Sequence, residues 1–151
     1  MHTLRRATTA DAALITAHRH RMFADNSFST EDQLDAMDAS FEPWVQERLA
    51  DGRYVGLLLE QDGTAVASAG IHFADFPPHY LHVEPGRAYL LNFYTDPSAR
   101  GQGLANQLLR ACVDECRTHG SKVVTLHASP FGRPIYEKFG FTPMNEMMMK
   151  L

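Results

Sequence analysis

The chain has 151 residues, 44% of them hydrophobic and 21% charged, which is typical of a single globular domain spanning residues 1–151. Its formal net charge of −4 argues against nucleic acid as the main partner, because nucleic-acid-binding domains usually carry a basic face. No apolar run approaches the roughly 18 residues of a membrane span, and no apolar leader follows Met1. We therefore expect a cytoplasmic protein without a membrane partner.

The first half of the chain predicts one strand, two helices and two further strands, in this order: Thr3–Arg6, a helix capped by Thr9, a helix from about Glu31 to Leu49, Tyr54–Gln61 and Thr64–Phe73. Asp11 is expected in the first turn of the first helix. Whether Pro43 interrupts the second helix is left open. Asp62-Gly63 separates the two strand-like runs, and this dipeptide is the strongest short-range signal for a tight hairpin.

The second half predicts a loop, a strand, a helix, a strand, a short helix and a last extended segment, in this order: Ala74–Arg87, Ala88–Thr95, a helix from about Leu104 to Gly120, Val123–His127, Pro134–Phe139 and Phe141–Leu151. The loop is longer than most connections and is therefore a candidate functional loop. The order β-α-α-β-β-β-α-β-α-β predicts a mixed α/β sheet. Four methionines of the last segment are expected to pack it into the sheet, or to form a flexible apolar pocket wall: Met144, Met147, Met148 and Met149.

The two cysteines, Cys112 and Cys116, lie four residues apart in an apolar helical pattern. This spacing places both on one helix face, where we interpret them as small buried hydrophobic residues. A metal site would need further ligands, and a disulfide framework would need further cysteines. We therefore expect no metal and no disulfide, and free thiols fit a reducing compartment.

The segment Arg100–Ala105 follows the apolar strand Ala88–Thr95 and opens a helix. Its glycines, Gly101 and Gly103, allow the backbone to turn and to approach a ligand closely. The N-terminus of the helix then directs unpaired N–H groups and a positive dipole end at that ligand, which favours phosphate. The segment lacks the third glycine and the later acidic residue of a dinucleotide fingerprint, and it lacks the Gly-Lys-Ser/Thr of a P-loop.

The run Phe93–Ala105 resembles the acetyl-CoA motif of the GNAT superfamily of N-acetyltransferases. In that motif a strand and an acidic-proline turn lead into Arg/Gln-x-x-Gly-x-Gly/Ala at the start of a helix, matched here by Arg100, Gly103 and Ala105. A second match follows, because Leu126–Pro130 and Gly132–Phe141 are similar to the second cofactor motif of the family. That motif is a strand followed by a helix ending in Tyr-Glu-Lys-x-Gly-Phe.

The resemblance implies a fold and an activity. The expected fold is α/β (α+β), with a mixed, mostly antiparallel sheet of about six or seven strands, splayed between the fourth and fifth strands and flanked by about four helices. The expected reaction transfers the acetyl group of acetyl-CoA to an amine of a small molecule or protein, by direct attack through a tetrahedral intermediate. A non-catalytic CoA-binding module and a transferase of another acyl group stay open as alternatives, and so does a homodimer.

The resemblance also implies which residues bind the cofactor: Phe93, Tyr94, Thr95, Arg100, Gly101, Gln102, Gly103, Leu104, Ala105 and Ser129. In this family the amides of the glycine turn hold the pyrophosphate, and the strand around Phe93 pairs with the pantetheine arm. A backbone N–H near Phe93 would polarise the thioester carbonyl. Ser129 has an alternative role as a helix cap.

Tyr136 occupies the position where many members of the family place the proton donor for the departing thiolate, although a residue packed in the core is the alternative. The general base is less defined, and the candidates lie on or beside strands: Glu60, His72, Glu84, Asn92 and His127. His127 is the first choice because histidine has the natural pKa for this work. A water chain without a single dominant base stays open.

The segment from Met22 to Asp51 contains eight acidic residues and one basic residue, the acidic ones being Asp25, Glu31, Asp32, Asp35, Asp38, Glu42, Glu47 and Asp51. In this fold the first two helices usually form the acceptor side of the cleft, so an acidic wall there would favour a cationic amine. A solvated helix face is the alternative. Aromatic residues of the same half of the chain would add apolar character to the pocket: Phe23, Phe28, Phe41, Trp44, Phe76 and Tyr80.

Overall fold

The structure is a computed structural model that describes residues 1–27 and 29–151, so Phe28, one of the aromatic residues assigned to the acceptor side, lies outside the described residues. Within them the chain forms five strands and four α-helices, in this order: β1 (Thr3–Arg6), α1 (Ala12–Asn26), α2 (Glu31–Asp51), β2 (Tyr54–Gln61), β3 (Thr64–Ala74), β4 (Arg87–Thr95), α3 (Leu104–Thr118), β5 (Val124–Leu126) and α4 (Arg133–Phe139). None of the helices in this part of the chain is both long and apolar enough to span a membrane.

The strands form one sheet in the order β1-β2-β3-β4-β5, antiparallel throughout except for the parallel pair β4–β5. The predicted mixed, mostly antiparallel sheet is therefore confirmed, but the described residues contribute five strands instead of six or seven. The difference lies in Phe141–Leu151, which was expected to be extended against the sheet and forms no strand. The neighbouring edge strand β5 has three residues and offers a further strand few ladder partners.

The packing predicted for the C-terminal methionines is wrong. All four side chains, Met144, Met147, Met148 and Met149, are exposed. A run of apolar residues predicts burial only where a partner surface exists, and no strand forms here to bring these side chains onto the sheet.

The hairpin predicted at Asp62-Gly63 is confirmed. The strands β2 and β3 pair up to Gln61 and Thr64. Asp62 and Gly63 have φ angles of 52° and 77°, which places both central residues in the left-handed region that a type I′ turn requires.

The N-terminal helices correct one prediction, the cap at Thr9, and settle the question left open at Pro43. Thr8, not Thr9, is the cap, because its side chain accepts a hydrogen bond from the Ala10 N–H while the Asp11 side chain accepts one from the Thr8 N–H. A short 3₁₀ turn comes between this cap and α1. Pro43 lies inside α2 without ending it.

The core has two parts, one on each face of the sheet. On one face α3 packs its buried stripe, which includes Leu108, Cys112 and Cys116, against strand residues such as Ile71 and Leu90. The two cysteines are buried on one helix face, as predicted. Burying one large aliphatic side chain of this kind contributes about 1.5–3 kcal/mol.

On the other face α1 and α2 cover the sheet. Ile15 from α1 and Phe41 and Val45 from α2 pack around Tyr54, which lies on β2. This second core holds α1 against the same strand, β4, that carries the candidate site.

The sheet opens between β4 and β5. The two strands pair over three residues, from Ala88 and Val124 to Leu90 and Leu126, although β4 continues to Thr95. The predicted splay between the fourth and fifth strands is confirmed, and it leaves the second half of β4 beside a cleft.

Candidate active site

A β-bulge lies where β4 reaches the opening. The pairing of β3 with β4 runs from Ser68–Tyr94 to Gly70–Leu91, so two residues of β4, Asn92 and Phe93, oppose one residue of β3. Asn92 has a φ of 62°, in the left-handed region that asparagine tolerates better than most residues. Bulges of this type are frequent next to active sites because they redirect a short stretch of backbone.

The side chain of Asn92 is buried and fully engaged. Its Nδ2 donates to the Tyr54 hydroxyl at 3.0 Å, and its Oδ1 accepts from Nη1 of Arg19 at 2.6 Å. The bulge is therefore tied to β2 on one side and to α1 on the other. Sequence reasoning named Asn92 only as one of several base candidates and missed Tyr54 and Arg19. An asparagine inside an apolar strand was the available signal.

The glycine turn at the end of β4 has the backbone that its sequence predicts. Gly101 and Gly103 have φ angles of 78° and 76°, and a Cβ atom at either position would meet nothing within 4 Å. Gly103 is the N-cap of the 15-residue helix α3 and brings no side-chain cap of its own. The open side of this turn thus presents a helix N-terminus, which suits an anionic group.

Arg100 fixes the turn in place. Its Nε donates to the Thr95 carbonyl at 3.0 Å, and its Nη2 contacts Asp25 of α1 at 2.7 Å. Both partners of this ion pair are half exposed, so the pair adds little stability by itself. Its effect is to connect the turn to the end of β4 and to the first helix.

The remaining residues of the turn differ in exposure. Gln102 is exposed, Ala105 is half-buried and Leu104 is buried in the core against β3 and β4. Leu104 could therefore contact a ligand only through its backbone. The sequence placed all three in one binding loop, and the structure shows that their side chains face different surroundings.

A cleft of about 700 Å³ lies beside the second half of β4, between α1 and the segment that follows β5. It brings together seven of the residues that the sequence singles out: Phe93, Tyr94, Thr95, Arg100, His127, Ser129 and Tyr136. Arg19, Asn92 and Tyr89 line the same cleft. A second cavity of about 610 Å³ shares Tyr89, His127 and Tyr136 with it.

Tyr136 on α4 faces both cavities and also packs. Its ring meets Phe93 edge to face, with ring centroids 5.8 Å apart, and it contacts the α3 side of the core. Burial raises the pKa of Tyr136 to about 12. The phenol is therefore protonated at neutral pH and available as a donor, so its packing and its access to the cleft are compatible.

His127 belongs to a chain of three polar side chains. Its Nδ1 lies 2.5 Å from the Tyr89 hydroxyl, and its Nε2 pairs with Glu146 from the C-terminal segment. Since a carboxylate can only accept a hydrogen bond, Nε2–H donates to Glu146, and the unprotonated Nδ1 accepts a hydrogen bond from the Tyr89 phenol. Burial raises the pKa of Tyr89. The sequence indicated His127 but missed both of its partners.

Three other base candidates lie elsewhere. Glu60 pairs with Arg5, His72 packs against Trp44, and Glu84 is exposed in the loop before β4. Within the described residues none of the three lines either cavity. Position on or beside a strand was too weak a criterion, because it does not say which end or face of the sheet a side chain occupies.

Ser129 stabilises a local turn. Its Oγ accepts a hydrogen bond from the Gly132 N–H at 3.1 Å, just before α4. The helix-cap role expected for Ser129 is therefore wrong, because Gly132 is the N-cap of α4 and Ser129 closes the turn before it. Ser129 also lines the cleft, so its side chain is held at the edge of the site by the turn that it closes.

The acidic residues of α1 and α2 form a solvated surface. Of the eight, only Asp25 lines a cavity in the part of the chain that the structure describes, and Arg100 neutralises it. Several others pair outside the cleft: Glu31 and Asp38 with His20, and Glu47 and Asp51 with Arg53. The acidic wall expected from charge counting is absent from this side of the described cleft.

The aromatic residues of the same half are also divided. Phe23 lines the cleft and Phe76 lines the second cavity. Phe41 and Trp44 stack on each other in the α1–α2 core, and Tyr80 is exposed. The aromatic residues of this half that the structure describes therefore do not line a single pocket.

A sheet that splays between two parallel strands, with a bulge on one strand and a glycine turn opening a helix at its end, is the architecture of GNAT acyltransferases. The model of the "Acetyltransferase (GNAT) family" matches residues 17–141. The chain belongs to this family. None of the curated proteins compared with the sequence matches it.

Solved structures agree with this assignment. A GCN5-related N-acetyltransferase from Ralstonia eutropha JMP134 is 33% identical, with a TM-score of 0.94 over 100% of this chain and 99% of that one. A predicted acetyltransferase with acetyl-CoA from Clostridium acetobutylicum is 30% identical, with a TM-score of 0.91 over 100% and 96%. Glucosamine-6-phosphate N-acetyltransferase from Arabidopsis thaliana, at 18% identity and a TM-score of 0.71 over 100% and 98%, shares the fold.

Proposed function

We propose that residues 1–151 act as one domain that transfers the acetyl group of acetyl-CoA to an amine of a small molecule or peptide. The observation that carries this proposal is the continuous stretch Leu91–Ala105, where an opened, bulged strand leads into a glycine-capped helix. The 30% identical Clostridium protein, which was solved with acetyl-CoA, supports the choice of acyl donor.

The residues of this stretch fit coenzyme A. Gly101 and Gly103 leave space on their open side, and the N–H groups of the first turn of α3 suit a pyrophosphate. The edge of β4 from Leu91 to Thr95 is not paired with β5 and suits an extended polar chain that adds to the sheet. When bound there, acetyl-CoA supplies an activated thioester.

The bulge would stabilise negative charge on the carbonyl oxygen. The backbone N–H of Phe93 is the candidate donor, because Phe93 lies at the bulge where the regular pairing with β3 is interrupted. A fixed donor of this kind contributes about 10²–10³ in rate. Asn92 is a positioning residue in this scheme, since its side chain holds the bulge and does not itself face the reacting carbonyl.

The reaction moves one acyl group and one proton. The amine nitrogen attacks the thioester carbonyl and forms the new C–N bond, which gives a tetrahedral intermediate. The C–S bond then breaks, the amine loses a proton and the thiolate gains one. His127, oriented by Glu146, would accept the amine proton through the Tyr89 hydroxyl, which donates its own proton to Nδ1 as it takes up the new one. The phenol and imidazole are adjacent, so this transfer needs no rearrangement.

Tyr136 would stabilise the leaving sulfur. With a pKa near 12, complete transfer of its proton to a thiolate with a pKa of about 8.5 is uphill by roughly 5 kcal/mol. We therefore assign it a strong hydrogen bond to the departing sulfur, with the proton finally delivered from water. This assignment refines the general-acid role that the sequence suggests.

The proposal is tested by binding and by turnover. CoA and acetyl-CoA should raise the melting temperature, and CoA release should follow when acetyl-CoA is mixed with a panel of amines, peptides and aminoglycosides. Tyr136→Phe should lower kcat by about 10²-fold and leave the Kd for CoA within twofold. Tyr80→Phe, in an exposed residue, is the matched control.

Three outcomes would change the assignment. No thermal shift with either ligand would contradict CoA binding. Binding without turnover over the whole panel would favour a non-catalytic CoA-binding module, and faster turnover with propionyl-CoA or succinyl-CoA would change the acyl group. An unchanged kcat in Tyr136→Phe would remove the tyrosine from the reaction.

A further inference from the structure

Arg19 places a positive charge at the reacting end of the cleft. It lies on α1 and lines the cleft together with Tyr89 and Asn92. Its Nη1 donates to Asn92 Oδ1 at 2.6 Å. Its guanidinium carbon lies 4.9 Å from the ring centre of Phe23 and 4.7 Å from that of Phe41. The guanidinium is thus held between aromatic faces beside the bulge.

This charge has no carboxylate partner among the residues that the structure describes. The cleft's other arginine, Arg100, is paired with Asp25. Arg19 has no such ion pair, and its Nε is buried without a hydrogen-bond acceptor. Burial lowers the pKa of the Arg19 guanidinium, and the smaller opposing effects of Tyr54, Tyr89 and Asp38 do not cancel this cost of removing a cation from water.

A half-buried guanidinium that lines a cleft and forms no ion pair with a described residue can bind an anionic group of a ligand. We infer that Arg19 binds a carboxylate of the acceptor, and that the acceptor is a small amino acid or related amino carboxylate; this inference rests on the proposed acetyl transfer. A guanidinium matches a carboxylate in geometry and offers two parallel N–H donors to it. A single positive charge neutralises one carboxylate, whereas a phosphate dianion calls for more than one cation.

The distance between the carboxylate and the amine of the acceptor is limited by the neighbouring positions of Asn92 and Phe93. The Arg19 guanidinium is hydrogen-bonded to the side chain of Asn92. The next residue, Phe93, carries the N–H that we assign to the thioester carbonyl. A carboxylate bound at Arg19 therefore lies within a few bonds of the amine that attacks. Tyr89, which lines the same cleft, is then close enough to take part in removing the amine proton.

The same charge disfavours a cationic acceptor. A polyamine or aminoglycoside would bring further positive charge next to Arg19, and like charges in a poorly solvated site repel each other strongly. Among the described acidic residues of α1 and α2, Asp25 lines the cleft, and its charge is already paired with Arg100.

The test compares acceptors that differ only in the carboxylate. The kcat/KM of the protein with acetyl-CoA is measured for L-amino acids and for their amides. Phosphoethanolamine and ethanolamine are a second pair, in which the first compound carries a phosphate and the second does not. Amino acids should exceed their amides by at least about tenfold. Because Arg19 also donates to Asn92 at the bulge, Arg19→Gln should lower kcat/KM for both classes of acceptor. The decrease should be about 10–100-fold larger for the amino acids than for the amides, which corresponds to the loss of a charged hydrogen bond.

Arg21→Gln is the matched control, because Arg21 lies two residues away on α1 and is exposed. It should leave both classes of acceptor unchanged. In parallel, calorimetric titration of the CoA-loaded protein with N-acetyl amino acids and N-acetyl amino acid amides measures the carboxylate preference without turnover. The acids should bind more tightly, and Arg19→Gln should remove the difference.

Three results of these measurements would contradict a carboxylate site at Arg19. Equal or better use of the amides, equal losses for both classes in Arg19→Gln, or a preference for phosphoethanolamine over the amino acids would overturn the carboxylate site. If CoA raises the melting temperature but the carboxylate preferences are absent, the carboxylate site at Arg19 is contradicted and the proposed acetyl transfer is not. If CoA does not change the melting temperature, both the carboxylate site and the proposed acetyl transfer are contradicted.

Discussion

The left-handed conformation of Asn92 can be tested by two substitutions that differ in one methyl group. Asn92→Gly and Asn92→Ala both remove the side-chain amide that forms hydrogen bonds with Tyr54 and Arg19. Only the alanine variant places a Cβ atom on a backbone with a φ of 62°. Comparing the two therefore separates the hydrogen bonds from the backbone conformation.

The expected magnitudes follow from these contacts. Losing the neutral hydrogen bond costs about 0.5–1.5 kcal/mol and losing the one to the guanidinium about 1.5–3 kcal/mol, so both variants should lose about 2–4.5 kcal/mol. Alanine adds about 1–2 kcal/mol for the left-handed region, offset by about 0.4–1 kcal/mol because glycine makes the unfolded chain more flexible. From the central values of these ranges, Asn92→Ala should be less stable than Asn92→Gly by about 0.8 kcal/mol.

Urea unfolding at neutral pH measures this difference in the free energy of unfolding. The control is Ala65→Gly, at a position on β3 whose φ is not positive, where glycine should instead be the less stable residue by about 0.5–1 kcal/mol. If Asn92→Ala is as stable as Asn92→Gly or more so, the bulge does not have a left-handed residue at this position. The bulge would then not present the Phe93 N–H as an oxyanion donor.

His18 is buried, and its pKa is lowered to about 4 by that burial. Since the unfolded state binds more protons between pH 6.5 and pH 4, the free energy of unfolding should fall by about 2–3 kcal/mol over this range. The pH dependence should flatten in His18→Gln, and an unchanged slope would contradict it. Gly70→Ala would place a Cβ 2.0 Å from the Tyr54 hydroxyl and should lower the free energy of unfolding by about 1–3 kcal/mol. It should also lower kcat, because Tyr54 accepts a hydrogen bond from Asn92 at the bulge. A loss of stability with a normal kcat would show that Tyr54 does not support the site. Gly103→Ala meets no atom within 4 Å but forces alanine to a φ of 76°, so the free energy of unfolding should fall by about 1–2 kcal/mol. An unchanged stability in urea unfolding would argue against the left-handed conformation of this residue.

Local patterns predicted the elements that depend on nearby residues. The Asp62-Gly63 hairpin is set by two adjacent positions, and the helix face of Cys112 and Cys116 by a spacing of four. The glycine turn before Leu104 also follows from neighbouring residues. These predictions succeeded because backbone preference and burial agreed within a single segment.

The predictions that failed concern contacts between distant segments. Charge counting along α1 and α2 predicted an acidic wall, but a helix has two faces and the count does not say which one meets the cleft. Arg19, on the face that does, was one basic residue in the run His18–Arg21 and gave no separate signal. The partners of His127 were hidden for the same reason, since Tyr89 and Glu146 are 38 and 19 residues away from it.

The contact between Glu146 and His127 makes the C-terminal segment relevant to how the protein is prepared. Glu146 lies in the exposed stretch 142–151, which forms no strand. Removing this stretch would take away the carboxylate that orients the imidazole while leaving the sheet intact. Activity measured on a shortened protein that lacks Glu146 would therefore underestimate that of residues 1–151.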